Sequence, residues 1–206
     1  MRLRYCCFLI LIFCFIKAEG RIGAGISTSF NQILSYKRDA FRLYPPIAKP
    51  IYFFPSIICA ADLNNFTLNG SIGLYKTNFI YHYEYSSFFE YFYFQNSHLS
   101  FSFGVDYKAV KKGNSNVFLG IENIIEYSYN ATLKNDYMIT VAKKNRLSFN
   151  QYLIGLRFGY EQMLKSSLSL KFLIHYSSYP VTRKSVVNES FYYNSLGLAV
   201  ALVKLF

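Results

Sequence analysis

At 206 residues the chain suits one domain, and with 20 Tyr, 21 Phe and only 16% charged residues it carries too much apolar surface to stay disordered. The formal net charge is +11, but Lys and Arg are dispersed along the chain, which argues against a nucleic-acid partner. One apolar stretch alone, at the N-terminus, raises the question of a lipid-spanning helix, so a multi-pass helical membrane protein is excluded.

That stretch reads as an address. Arg2 and Arg4 precede the apolar run Tyr5–Ile16, and Lys17-Ala18-Glu19-Gly20 follows it, the pattern of a secretory signal peptide over residues 1–20. Cleavage after Ala18 and cleavage after Gly20 fit equally well. A run of about 12 residues falls short of the ~20 that a membrane-crossing helix needs. Cys6, Cys7 and Cys14 lie in this segment, which leaves Cys59 in the mature domain, residues 21–206, with no intramolecular disulfide and no Cys-based metal site. No cofactor motif is present.

From Arg21 onward apolar residues recur with period two, the spacing of β-strands. Ile22, Ala24, Ile26 and Phe30 alternate with Gly23, Gly25, Ser27 and Ser29. Ile51–Leu63 is apolar on both faces and holds Pro55, which cannot donate to a ladder and suggests a bulge or the edge of a membrane belt. In Thr67–Tyr85 the apolar phase moves from Leu68, Ile72 and Leu74 to Phe79, Tyr81, Tyr83 and Tyr85, which predicts a bulge near Tyr75–Asn78. His98–Ala109 sets Leu99, Phe101, Phe103, Val105 and Tyr107 against Ser100, Ser102, Gly104, Asp106 and Lys108. Val117–Tyr129 follows the same rule, with Asn123 the exception on its apolar face. Gln151–Glu161, Ser167–Tyr176 and Phe191–Phe206 complete eight strands. Asn64-Asn65, Lys111–Asn116 and Leu164–Ser166 read as short turns; residues 35–50, 86–96, 131–147 and 178–190 read as long loops at the opposite end.

Such a meander closes in one of two polarities. A soluble carrier barrel turns its apolar face inward, whereas an outer-membrane barrel turns it toward lipid and fills its lumen with small and charged side chains. Here one face is crowded with Phe, Tyr, Leu and Ile, and the other holds Gly, Ser and Ala with a few charges; an eight-strand lumen has room only for the second set. The expected fold is an all-β, eight-stranded, antiparallel up-and-down transmembrane β-barrel. Arg157, Glu161, Glu122, Glu126, Lys171, Asp106 and Lys108 would then form a mutually compensating charge network in the lumen.

The C-terminal run Asn194-Ser195-Leu196-Gly197-Leu198-Ala199-Val200-Ala201-Leu202-Val203-Lys204-Leu205-Phe206 resembles the end of the Bacteroidota-type, PorT-like outer-membrane β-barrel domain family. Leu153–Glu161 followed by Leu168–Lys171 resembles that family's penultimate hairpin. The resemblance implies a bacterial outer-membrane location. It also implies recognition of the strand ending in Phe206 by the barrel-assembly machinery, and partners among envelope proteins such as secretion-system components. Lys204 departs from the pattern by standing on the lipid-facing parity, a place tolerable near the interface where a Lys can snorkel to water.

Three further features bear on function. His175-Tyr176-Ser177-Ser178 faintly resembles the His-x-Ser-Asn signature of outer-membrane lipid A deacylases, but parity turns His175 and Ser177 to the lumen, away from a lipid substrate, so no enzyme is expected. The aromatic run Phe79–Phe94 suits a girdle at the headgroup level continuing into a stiff hairpin, with a binding surface as the alternative. Lys37, Arg38, Arg42, Lys143, Lys144 and Arg146 in the outer loops form a collar suited to lipopolysaccharide phosphates. The expected role is a structural, adhesive or envelope-assembly barrel with a filled, non-conducting lumen. The rivals are a soluble lipocalin-like carrier and a lipid A-modifying hydrolase.

Overall fold

The computed structural model describes residues 20–38, 51–85, 88–135, 137–145, 147–182 and 191–206. The predicted signal peptide, apart from Gly20, and the loop cations Arg42 and Arg146 lie outside these residues. The strands are β1 (Arg21–Arg38), β2 (Ile51–Leu63), β3 (Phe66–Tyr85), β4 (Phe88–Lys112), β5 (Ser115–Lys134), β6 (Thr140–Lys144), β7 (Ser148–Lys165), β8 (Leu168–Thr182) and β9 (Phe191–Leu205). Neighbours pair antiparallel in chain order, β5 pairs with β7, and β9 closes on β1, as in Asn31↔Gly197. The wall therefore has eight positions. β6 takes the upper part of the sixth, pairing with the end of β5 through Ala131↔Lys144 just above the point where β7 begins.

Three two-residue turns mark one end. Asn64-Asn65, Gly113-Asn114 and Ser166-Ser167 join β2 to β3, β4 to β5 and β7 to β8. Asn64 and Gly113 adopt φ of 48° and 58°, the left-handed conformation that Asn and Gly tolerate best in tight turns. At the other end two predicted loops turn out to be largely strand. Residues 88–96, read as part of a loop over 86–96, belong to β4, whose ladder with β3 runs unbroken to Tyr85↔Phe88. Residues 131–147, likewise read as loop, contain the end of β5 and all of β6. High β-propensity in Phe88–Phe94 extends the hairpin where low polarity leaves no reason to stop.

Burial follows strand parity around the wall. Phe101, Phe158 and Phe172 are 39%, 50% and 47% exposed on the outside, while Gly104, Arg157 and Lys171 are buried within. Ile26, Ile57, Ile72, Ile121, Leu156, Ile174 and Leu198 continue the apolar exterior around the circumference. Asn123, the polar exception on that surface, accepts a hydrogen bond from the Tyr152 hydroxyl on the neighbouring strand. Lys204 points outward beside the chain end, with Nζ 5.3 Å from the Phe206 ring centre.

The expected bulge at Tyr75–Asn78 is absent. β3 runs straight past Tyr75, which is 5% exposed and points inward, whereas Lys76 and Asn78 point outward. The register shift falls instead in the β4–β5 ladder, where Ser97↔Asn130 is followed by His98↔Ser128 and Tyr129 of β5 is the extra residue. Tyr75 turns inward on β3 because the upper lumen has its own core. Ile33, Tyr52, Tyr75, Phe94, Ala131 and Leu153 close the barrel from within, and Tyr52 and His98 stack on either side of Tyr75, each at 4.6 Å between ring centres. Small and charged residues dominate the region below, where Ala60, Val203 and Leu205 form a second buried apolar cluster near the turns.

Lumenal glycines are sites where a large side chain from an adjacent strand crosses. A Cβ on Gly159 would meet the Phe118 ring, one on Gly155 the Glu122 side chain, one on Gly120 the Asp106 carboxylate, and one on Gly197 both Asn31 and His175. Large and small residues thus interdigitate around the circumference, the packing a narrow barrel requires. Gly159→Leu is expected to cost about 1–3 kcal/mol by overpacking. Phe118→Ala in the same chain should return part of that loss but not all, since the backbone carbonyl of Phe172 also faces Gly159. Urea unfolding midpoints of the single and double variants, compared in the same vesicles, would show this; full additivity would contradict the contact.

Candidate functional site

The predicted lumenal charges are all buried, and strand register decides which of them meet. Asp106 on β4, Glu122 on β5 and Arg157 on β7 lie near one another because Gly104↔Glu122, Asp106↔Gly120 and Gly120↔Arg157 are cross-strand pairs. Arg157 donates from Nη2 to Asp106 Oδ2 at 2.6 Å and from Nη1 to Glu122 Oε2 at 3.5 Å. Asn69 Nδ2 donates to the same Asp106 oxygen at 2.7 Å, and His175 Nδ1 stands 3.4 Å from Glu122 Oε1. One cation thus serves two carboxylates, each of which has a second polar neighbour.

A second cluster lies nearer the turns. Lys171 and Glu161, directly paired across β7 and β8, approach to 3.5 Å, and Asn116 Nδ2 donates to Glu161 Oε2 at 3.0 Å. Lys171 also lies 5.7 Å from the centre of the Phe118 ring. Lys108 pairs with Asp62, a partner the sequence reading passed over. Asp62 shares the inward parity of Ser56, Ile58 and Ala60 on β2, and that alternation was the signal that would have found it. Glu126 stands apart from both clusters and accepts a hydrogen bond from the Tyr75 hydroxyl at the base of the aromatic core.

What these groups can do is limited by space. The cavity among Asn69, Glu122, Arg157, Lys171 and His175 holds about 90 Å³, enough for a few waters. His175 Nε2 has no hydrogen-bond partner, and the Ser177 hydroxyl is 2.7 Å from the Ser195 hydroxyl, so His175 and Ser177 are not coupled. Asn69 is buried against Asp106. Among the described residues no group of His, Cys, Asp and Glu is placed to hold a metal ion.

Of the loop cations, Lys37 and Arg38 end β1 and pair with Tyr192 and Phe191 of β9; Lys143 and Lys144 lie on β6, with Lys143 exposed. They stand at the end opposite the short turns, on two separate parts of the rim.

A closed eight-position wall with an apolar exterior and a polar, self-paired lower lumen is the arrangement lipid imposes, since every ladder in the hydrocarbon must be satisfied internally. The solved structure of Neisserial surface protein A (NspA) superposes with a TM-score of 0.57 at 12% identity, over 90% of this chain and 97% of that one. The chain has the fold of an outer-membrane β-barrel. The barrel also resembles Ail of Yersinia pestis, at 11% identity and TM-score 0.46 over 90% of this chain and 99% of that one. For the translocator domain of NalP from Neisseria meningitidis the figures are 7% and 0.42, over 98% and 96%. Of the three, the likeness to NspA is strong enough to bear on the fold. No family model matches the chain, and no curated protein matches it. The soluble-carrier arrangement is overturned by the barrel's exterior, where Phe, Ile and Leu take the place of a water-facing surface.

Proposed function

We propose that the protein is an integral barrel of the bacterial outer membrane with a filled, non-conducting lumen, serving as a structural, adhesive or envelope-assembly component. The observation that carries this reading is the double closure of the lumen. Ile33, Tyr52, Tyr75, Phe94 and Leu153 fill it above, and the Arg157 and Lys171 clusters fill it below. A barrel closed in this way acts through its rim and outer surface. The resemblance of its last three strands to PorT-like domains favours the envelope-assembly role, with the strand ending in Phe206 offered to the assembly machinery. Lys37, Arg38, Lys143 and Lys144, with Arg42 and Arg146, would pair with lipopolysaccharide phosphates. An enzymatic role is disfavoured because Ser177 is bonded to Ser195 and His175 turns to Glu122.

Purified barrel added to planar lipid bilayers should insert without stepwise ion current, and pull-down from gently solubilised membranes should recover envelope proteins with it. Stable single-channel steps would overturn the filled-lumen reading; a barrel recovered alone would overturn the assembly role and leave the free-standing ones.

A further inference from the structure

The wall has one seam unlike the others. The β2–β3 ladder stops at Ser56↔Gly73, although both strands continue: Ile51–Pro55 pair with β1, and Leu74–Tyr85 pair with β4. Pro55 follows immediately along β2, and its ring nitrogen has no hydrogen to offer. On the outer surface a groove of about 740 Å³ lies along this seam, walled by Ile26, Ile57, Ile72, Leu74, Val200 and Leu202. Its floor includes Ser27, Ser56 and Gly73, small residues of the lumenal face, and Thr28, whose Oγ1 is buried without a hydrogen-bond partner.

The height of the seam matters. Unpaired backbone is not tolerated in bare hydrocarbon, so a ladder can end only where polar groups are within reach. On β3 the outward residues after Ile72 and Leu74 are Lys76 and Asn78, both exposed, whereas Phe53 and Ile51 keep the β2 side apolar, so polar groups come within reach of the seam from its β3 side. An apolar trough leading down from an exposed cation matches a lipid in both parts.

We propose that this groove is a binding site for one membrane lipid, with an acyl chain lying along Ile57, Ile72 and Leu74 and a headgroup phosphate facing Lys76. A comparable groove of about 720 Å³ on the far wall, lined by Leu119, Ile121, Leu156 and Phe158, crosses intact ladders and serves as an internal control. The inference rests on the membrane-spanning reading.

The test uses the full barrel in phosphatidylglycerol vesicles doped with phosphatidylglycerol bearing a photoactivatable acyl chain, with cross-linked peptides mapped by mass spectrometry. Labelling should concentrate several-fold on residues 55–74 over residues 119–158, and Lys76→Glu, a surface change, should abolish the excess. Equal labelling of the two walls would overturn the site while leaving the membrane reading intact, and labelling of neither would overturn both. In a second arm, Leu74→Trp, which fills the trough, should lose the lipid retained by the native barrel on native mass spectrometry, whereas Leu156→Trp on the control wall should keep it. Retention by both variants would count against the site.

Discussion

Arg157→Ala is expected to cost about 3–5 kcal/mol of unfolding free energy, the scale for breaking a buried ion pair by removing one partner. The loss comes from what stays behind. Asp106 and Glu122 lose their shared cation in a lumen closed above and below, with Asn69 and His175 as their remaining polar neighbours. Arg157→Lys should recover only part of it, because an ammonium cannot span two carboxylates as the guanidinium fork does. Combining Arg157→Met with Asp106→Asn and Glu122→Gln removes the stranded charges and should be milder than Arg157→Ala alone. Urea titration in vesicles, followed by the heat-dependent shift in gel mobility, would compare the series. A triple variant as unstable as the single one would show that packing, not charge, governs the site.

Phe94→Ala should cost about 3–5 kcal/mol, the range for a buried aromatic truncated in a well-packed core. Phe94 is 3% exposed and sits in the upper core with Ile33, Tyr52, Tyr75, Ala131 and Leu153, where neighbours anchored on five different strands cannot collapse into the void. The same variant should still pass no ion current, because the Arg157 and Lys171 clusters close the lumen independently below it. Unfolding midpoints and bilayer recordings on one preparation separate the two expectations; current steps without loss of stability would reverse both.

The polarity of the barrel was legible because the two faces of β4 and β7 differ so sharply: Phe101 against Gly104 and Phe158 against Arg157 leave one arrangement that fits an eight-strand lumen. The upper third was not legible by the same rule. Inside the belt, apolar means outward; above it, where water or headgroups surround the wall, the lumen again becomes the place to bury a ring. Tyr75 and Phe94 obey that second rule, and a reader applying the first must invent a bulge at Tyr75–Asn78 to keep Tyr83 and Leu74 on one side. Lys76 and Asn78 carried the warning, since two polar residues on the outward parity mark the end of the belt. The charge clusters were half visible. Parity selects inward residues, but only register selects partners, and so Lys108 could be assigned to the lumen without Asp62 being recognised as its counterpart.

The interlocking of lumenal glycines with the bulky groups that cross them has an evolutionary consequence. A lineage can exchange Leu for Ile or Phe across the greasy exterior almost without penalty, whereas each change beneath Phe118 or His175 must be matched by one on the adjacent strand. Divergence should therefore run fast outside and advance by correlated pairs inside, so that distant descendants would share a shape, and a rhythm of complementary volumes, long after their letters had ceased to agree.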